Sequence, residues 1–219
     1  MTFSFAGLSH SDVSPLVFLP GWGFDGRLIS LFRLFPARRI IMPDSFLHPS
    51  TLERDLFAFL GNHGAGISIV GWSMGAQLGL DFSCAHPELV DRLTLVSMRQ
   101  YWPLAEIQEI RKGLEEDWRD FMRGFYRKCF LGYKKEYRQF VAVLEDDYLN
   151  RLDLKTLWSG LDYLERFRVP SPVPDAVPVS VLHGRKDVVA PVGEMVQLGA
   201  MECDVIAHGG HMVLLDRMR

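Results

Sequence analysis

The sequence predicts an α/β protein with a mostly parallel sheet, flanking helices and an inserted helical cap. Short apolar runs alternate with helical periodicity over residues 15–98, and this alternation resumes at residue 178. From about residue 101 to residue 167 only charged, helix-like periodicity is found. Because alternating strands and helices form parallel sheets covered on both faces, we assign residues 1–98 and 169–219 to a core and residues 99–168 to a cap.

The core elements follow from short apolar runs that end in Gly or Pro, the pattern of buried strands. Predicted strands cover residues 15–19, 39–42, 66–70, 93–96, 178–182 and 203–207. Predicted core helices cover residues 24–35, about 50–61, 74–85 and 191–198. Within the cap, apolar residues one turn apart predict helices over 106–118, 121–130, 133–144 and 152–166.

Composition excludes several classes of protein. A formal net charge of -3 over 219 residues argues against general nucleic-acid binding. There is no apolar run near the roughly 18 residues that span a membrane, and no signal-peptide pattern at the start. The three cysteines are not spaced as a metal or redox pair. We therefore expect a reduced, cytoplasmic monomer that uses neither metal nor cofactor.

One motif organises the core: Gly71-Trp72-Ser73-Met74-Gly75, between a predicted strand and a predicted helix. Gly-x-Ser-x-Gly in this context is typical of a nucleophile elbow, a strained turn that exposes a catalytic serine. Short motifs of this kind also occur by chance, so the context has to support the interpretation. The sequence predicts Ser73 as the nucleophile.

A serine needs a base, and the base needs an acid that orients it. In this topology the acid and then the histidine follow the serine in the chain. Asp187 and His211 follow the last two predicted strands, whose carboxyl ends share one sheet edge with Ser73. The rival acids are Asp175 and Asp204, and the rival histidines are His208 and His183. We favour His211 because the preceding Gly209-Gly210 forms a tight turn that presents it.

A tetrahedral intermediate also needs two hydrogen-bond donors for its oxyanion. The peptide N–H of Met74 is one, and that of Trp22, in the loop after the first predicted core strand, is the other. The side chains of Trp22, Trp72 and Tyr101 are candidates for substrate binding.

The cap carries a basic stretch with few acids. Its cations are Arg119, Arg123, Arg127, Lys128, Lys134, Lys135 and Arg138, against only Asp120 and Glu136. The stretch is either an ordinary solvated helical face or a docking patch for an acidic partner.

These motifs resemble those of the α/β-hydrolase fold family. Gly21-Trp22-Gly23 with Gly71-Trp72-Ser73-Met74-Gly75 is similar to the pimeloyl-[acyl-carrier-protein] methyl ester carboxylesterases of biotin synthesis, although Pro20 replaces the usual histidine before the first loop. The resemblance implies a carboxylesterase with an acyl-carrier-protein substrate, docked on Arg119, Arg123, Arg127 and Lys128. Another esterase, a thioesterase or a carbon–carbon bond hydrolase on this scaffold, or a non-catalytic binding protein, remains an alternative.

Overall fold

A computed structural model describes residues 1–6, 14–36, 39–61, 66–170, 176–198 and 201–217. Seven strands form one sheet: β1 (Phe3–Ala6), β2 (Leu16–Leu19), β3 (Ile40–Pro43), β4 (Ile67–Trp72), β5 (Val90–Val96), β6 (Val179–Gly184) and β7 (Glu202–Ile206). Their spatial order is β1-β3-β2-β4-β5-β6-β7. Every neighbouring pair is parallel except β1 and β3, which are antiparallel. The prediction of a mostly parallel sheet is confirmed.

Strand β1 was not predicted. It pairs with β3 at one edge of the sheet, with Phe3 opposite Pro43. A four-residue edge strand has too short a pattern to be recognised, and its partner lies far along the chain. The central strands were predictable because helices cover both faces of a parallel sheet, so strands such as β2 are apolar throughout.

Helices lie before and after the strands. They are α1 (Arg27–Phe32), α2 (Pro49–Gly61), α3 (Met74–Ala85), α4 (Leu104–Cys129), α5 (Lys134–Phe140), α6 (Asp146–Arg151), α7 (Leu154–Arg166) and α8 (Leu214–Arg217). A π-helical turn, Val141–Glu145, joins α5 to α6. The helices α4 to α7 all lie between β5 and β6, and we call residues 104–166 the helical segment.

The helical segment begins with one long helix that is broken in its middle. Asp117 has extended backbone angles, with φ −156° and ψ 94°. Its carboxylate accepts hydrogen bonds from the N–H groups of Arg119 (3.0 Å) and Asp120 (3.1 Å), as an N-cap residue does at a helix start. The sequence predicts two helices here, 106–118 and 121–130, and the break lies at Asp117, just before the predicted end of the first, because the Asp117 carboxylate caps the second.

The helical segment packs on the loop that follows β2. The ring of Phe24 in this loop lies 5.0 Å from Tyr126 and 6.2 Å from Tyr148, measured between ring centroids. Tyr126 donates its hydroxyl to the Gly23 carbonyl (3.0 Å), and Tyr148 donates to the Asp25 carboxylate (2.7 Å). Buried aromatic residues with satisfied hydroxyls therefore hold the segment against the sheet edge.

The predicted helix over residues 191–198 is wrong. In its place is a single 3₁₀ turn, Val192–Glu194, followed by extended backbone. Met195 forms an isolated antiparallel bridge with Arg99, and the Val196 N–H donates to the Met98 carbonyl (3.0 Å). The apolar residues whose spacing suggested a helix, Met195 and Val196, instead contact the chain just after β5.

In the described ranges, no helix has an apolar stretch long enough to cross a lipid bilayer.

Candidate active site

Ser73 lies at a sharp turn between β4 and α3. Its backbone has φ 56° and ψ −120°, a conformation that residues with a side chain rarely adopt. Its N–H donates to the Val96 carbonyl at the end of β5 (2.8 Å), which fixes the turn to the neighbouring strand. Such strain persists only where the surroundings enforce it, and it is found most often at functional sites.

The two glycines of the motif make this turn possible. A Cβ on Gly71 would lie 2.4 Å from the Gly75 carbonyl oxygen. A Cβ on Gly75 would lie 2.1 Å from the Leu19 carbonyl oxygen of β2. Because neither contact can be relieved by a side-chain movement, both positions require glycine.

Asp187 and His211 lie together, one after β6 and the other after β7. The His211 Nδ1 atom is 2.8 Å from Asp187 Oδ2. The other carboxylate oxygen, Oδ1, accepts the backbone N–H groups of Val189 (2.9 Å) and Ala190 (2.7 Å). All four groups are buried, so the carboxylate has a fixed orientation toward the imidazole.

These contacts keep Asp187 ionised. Burial by itself would raise the pKa of this carboxyl group, but His211 and the Ala190 N–H outweigh burial and lower it below its usual value. An ionised Asp187 accepts the Nδ1 proton of His211 and leaves Nε2 free to act as a base.

The backbone of His211 is held by two further donors. Its carbonyl accepts the indole N–H of Trp72 (2.8 Å) and the hydroxyl of Ser97 (3.0 Å). The rings of Trp72 and His211 also pack together, with centroids 5.3 Å apart. Ser97, which has φ 50°, was not singled out in the sequence, although its place directly after β5 is a signal for the same sheet edge.

The rival residues lie elsewhere or have other partners. His183 is completely buried, and its Nε2 donates to the Ala190 carbonyl (2.8 Å). The His208 side chain is 75% exposed, and Asp204 pairs with Arg217 at 2.8 Å. Asp175 lies outside the described residues. His183 Nε2 also lies 3.9 Å from Asp187 Oδ2, but among the described candidates His211 makes the shorter contact, a 2.8 Å hydrogen bond to this buried carboxylate.

The loop after β2 lies against Ser73. A Cβ on Gly21 would be 3.2 Å from the Ser73 Cβ, and the next residue is Trp22. In the described ranges, neither the Trp22 N–H nor the Met74 N–H donates to a backbone acceptor. The assignment of these two N–H groups to an oxyanion hole stays a prediction. The Trp22 indole is engaged separately, since it donates to the Leu157 carbonyl of α7 (3.0 Å).

A cavity of about 360 Å³ lies between α4 and the loop that carries Asp187. Its lining includes Phe125, whose ring is 5.1 Å from that of Trp22, and Val189, which donates to Asp187. The rest of the lining is Trp102, Glu106, Glu109, Ile110, Asp120, Phe121, Gly124 and Lys128.

None of the three predicted substrate-binding side chains is among the residues that line this cavity. Trp72 is completely buried, and its indole binds the His211 carbonyl instead. Tyr101 is 48% exposed, and the neighbouring Trp102 occupies the cavity wall. Trp22 lies behind Phe125 and contacts the cavity through that ring.

The buried Arg99, which the sequence did not single out, forms ion pairs that support the same loop. The Arg99 guanidinium binds both carboxylate oxygens of Glu106 (2.7 and 3.0 Å) and also pairs with Glu194. It donates to the Val189 carbonyl as well (3.2 Å), next to the N–H groups that hold Asp187. Its partners lie far apart in the chain, so no local pattern indicates these ion pairs.

The four predicted docking residues differ in their surroundings. Arg119 stacks on the Trp118 ring at 4.3 Å, and Arg127 is exposed. Arg123 lies 4.0 Å from Glu145 and 3.6 Å from Asp146, so acids already offset part of its charge. Lys128 lies at the cavity.

Within the described part of the chain, no three histidine, cysteine or carboxylate side chains are grouped so as to hold a metal ion.

Comparison with known proteins decides the family. The family described as "Alpha/beta hydrolase family" matches residues 16–219. The chain belongs to the alpha/beta hydrolase family. A similar curated protein is the pimeloyl-[acyl-carrier protein] methyl ester esterase of Wigglesworthia glossinidia brevipalpis. It is 24% identical over 198 residues, which cover 81% of this chain and 76% of that protein.

Solved structures agree on the fold. An esterase from Exiguobacterium antarcticum has a TM-score of 0.78 at 17% identity and covers 98% of this chain and 89% of its own. A thermophilic esterase from Thermogutta terrifontis has a TM-score of 0.72 at 19% identity, and the match covers 99% of this chain and 88% of that chain. A meta-cleavage product hydrolase from Pseudomonas fluorescens has a TM-score of 0.69 at 16% identity, and the match covers 98% of this chain and 88% of that chain. The predicted α/β-hydrolase fold is confirmed, and family and relatives support the predicted carboxylic ester hydrolase.

Proposed function

We propose that the chain is a serine esterase with Ser73 as nucleophile, His211 as base and Asp187 as the acid that orients it. The observation that carries the proposal is the buried 2.8 Å bond between His211 Nδ1 and Asp187, at the sheet edge where Ser73 stands in a strained turn. The shared family supports it, as does the close approach of the loop after β2 to Ser73 at Gly21.

In this mechanism Ser73 Oγ attacks the ester carbonyl carbon while His211 Nε2 takes the hydroxyl proton. The Trp22 and Met74 N–H groups stabilise the resulting oxyanion. When the C–O bond breaks, His211 returns the proton to the departing alcohol, and the acyl group stays on Ser73. Water then attacks this acyl-enzyme with the help of His211, which releases the carboxylate and restores the serine hydroxyl.

The substrate we propose is the methyl ester of pimeloyl-[acyl-carrier protein], which would yield methanol and the free carboxylate. The name of the Wigglesworthia relative and the paired Gly-Trp-Gly and Gly-Trp-Ser motifs support this choice. We further propose that residues 99–168 act as a cap whose cations Arg119, Arg127 and Lys128 meet the acidic carrier. Arg123 contributes less, because Glu145 and Asp146 lie beside it.

The test is hydrolysis of pimeloyl-carrier methyl ester by the purified chain, compared with Ser73→Ala. We expect turnover by the wild type and a loss of kcat by at least roughly 10⁴-fold in the variant. A fluorophosphonate probe should label wild-type protein on Ser73 and leave folded Ser73→Ala unlabelled. Absence of labelling in folded wild type would contradict the nucleophile, whereas labelling without carrier-ester turnover would contradict only the substrate.

A second candidate is an esterase for small, unattached acyl groups. The size of the cavity beside the Asp187 loop favours it, because about 360 Å³ is near the lower end for ligand pockets, roughly 300 Å³. Its lining includes Val189 but neither Ser73 nor His211. The carboxylates of Glu109 and Asp120 in this lining disfavour an anionic substrate, whereas Arg99 already offsets the charge of Glu106. A panel of p-nitrophenyl esters and acyl thioesters separates the candidates, since faster turnover of small esters than of the carrier ester would favour this one.

A further inference from the structure

The turn between α4 and α5 contacts the loop that carries His211 through one tyrosine. The Tyr133 hydroxyl donates to the Asp216 carboxylate at 2.5 Å. The same oxygen accepts the backbone N–H of Gly210 at 3.2 Å. Tyr133 is buried, and it therefore holds the chain at two points, one just before His211 and one shortly after it.

The loop has little room to move at this point. A Cβ on Gly210 would lie 2.6 Å from the Leu131 carbonyl oxygen of the same turn. On the other side, the Lys186 N–H donates to the Gly209 carbonyl (2.8 Å), which joins the His211 loop to the Asp187 loop. The Gly209-Gly210 pair is thus enclosed between the helical segment and the proposed acid.

We propose that Tyr133 is a positioning residue for the general base, so that the helical segment helps to align the catalytic histidine. This inference rests on the proposed function, because it takes His211 as the base. Tyr133 touches neither the substrate nor the reacting atoms; it acts by fixing the backbone on which His211 stands.

The physical reason is the direction of the two hydrogen bonds. Because Asp216 accepts the hydroxyl proton, the remaining lone pairs of the tyrosine oxygen face the Gly210 N–H. Burial, together with Asp216, raises the pKa of Tyr133 and keeps the hydroxyl protonated. Without the hydroxyl, the Gly210 N–H is buried without its acceptor, and the loop relaxes to satisfy it. A small displacement of a base is enough to slow proton transfer.

The chain offers a matched control in Tyr163. Its hydroxyl also joins the helical segment to the core through an aspartate, Asp81, at 2.7 Å. That contact links α7 to α3 and involves neither loop of the proposed acid and base. Tyr163→Phe therefore removes the same chemical group and a similar bond without affecting the His211 loop.

The experiment first establishes that the wild type hydrolyses p-nitrophenyl butyrate and that Ser73→Ala does not. If the wild type hydrolyses neither p-nitrophenyl butyrate nor the pimeloyl-carrier methyl ester and is not labelled on Ser73, the proposed function fails and the role of Tyr133 fails with it; if only the carrier ester is hydrolysed, that ester replaces p-nitrophenyl butyrate in the assay. Given that result, we expect Tyr133→Phe to lower kcat roughly 10- to 100-fold with KM within about twofold. The rate of fluorophosphonate labelling of Ser73 should fall in parallel, because labelling needs the same base.

Both phenylalanine variants should lose thermal stability, but Tyr163→Phe should keep kcat within about twofold of the wild type. If Tyr133→Phe does not fold, Asp216→Ala serves instead, since it removes the acceptor that orients the hydroxyl and leaves the tyrosine packing in place. We expect a smaller fall in kcat there, about threefold or more. Unchanged kcat in folded Tyr133→Phe, or an equal loss in Tyr163→Phe, would overturn the proposal.

Discussion

At the residue scale, Trp72 and Ser73 are neighbours in the motif but have different surroundings. Ser73 stands in the strained turn, while the buried Trp72 donates its indole N–H to the His211 carbonyl. Trp72 therefore supports the proposed base and is not part of the cavity wall. A tryptophan serves here because its N–H donates while its ring packs on the imidazole.

Replacing Trp72 by phenylalanine should keep most of the packing and remove the donor. Ser97 still donates to the same carbonyl, so we expect a partial loss of kcat, roughly 3- to 10-fold, the equivalent of a hydrogen bond worth about 1 kcal/mol. Steady-state hydrolysis of p-nitrophenyl butyrate measures it, with Trp158→Phe, which lies away from the site, as the control. A normal kcat in Trp72→Phe would show that Ser97 alone is sufficient.

Sequence order alone led to Ser73, Asp187 and His211, because each follows a short apolar strand and all parallel strands end at one edge. The support of these residues could not be predicted in the same way. Arg99 pairs with Glu194, which is 95 residues further along the chain. Tyr133 accepts the N–H of Gly210, which is 77 residues further along. Such pairs leave no periodic or spaced pattern in the sequence.

At the element scale, α3 approaches β2 closely at Gly75. A side chain at Gly75 would meet the Leu19 carbonyl, whereas a Cβ at Gly124, inside α4, meets nothing within 4 Å. We expect Gly75→Ala to lose roughly 1–3 kcal/mol of unfolding free energy or more. Gly124→Ala should gain up to about 1 kcal/mol from helix propensity.

Urea denaturation of the two alanine variants and the wild type measures both values. Equal midpoints for Gly75→Ala and wild type would mean that α3 can move away from β2 without loss. A destabilised Gly124→Ala would mean that α4 has contacts at this face that the backbone positions do not indicate.

Elements with strong local patterns were the ones that sequence could predict. Helix α3 begins and ends where its pattern does, at Met74 and Ala85, because Gly71 and Gly75 fix the preceding turn. The 191–198 region misled the prediction, because its apolar residues contact the chain at Arg99 instead of forming a helix face. A tertiary contact outweighs weak local propensity in such a short segment.

At the scale of the whole molecule, a buried histidine links stability to pH. His183 is completely buried, and burial lowers its pKa despite the opposing effects of the Ala190 carbonyl and Asp187. The unfolded chain therefore binds a proton below about pH 6.5 that the folded chain does not bind until the pH is lower. The contribution of His183 to stability is complete above that pH and declines as the pH falls below it.

Thermal melts between pH 7.5 and 5.5 test this. We expect the wild type to lose stability over this interval and His183→Gln, which keeps a donor for the Ala190 carbonyl, to lose less of it. The same slope in both proteins would assign the acid sensitivity to other groups. Asp187 affects stability at lower pH. Because its pKa is lowered in the folded chain, its stabilising contribution is lost only as the pH falls below about 4.

The position of the helical segment in the chain has a consequence for synthesis. Ser73 precedes the segment, whereas Asp187 and His211 follow it, and Trp72 bonds to a carbonyl 139 residues further along. A ribosome adds roughly 5–20 residues per second, so the nucleophile emerges on the order of ten seconds before its base. Under the proposed mechanism, a nascent chain carries an inert serine until the final loop has docked, and it cannot attack an ester while its pocket is unfinished.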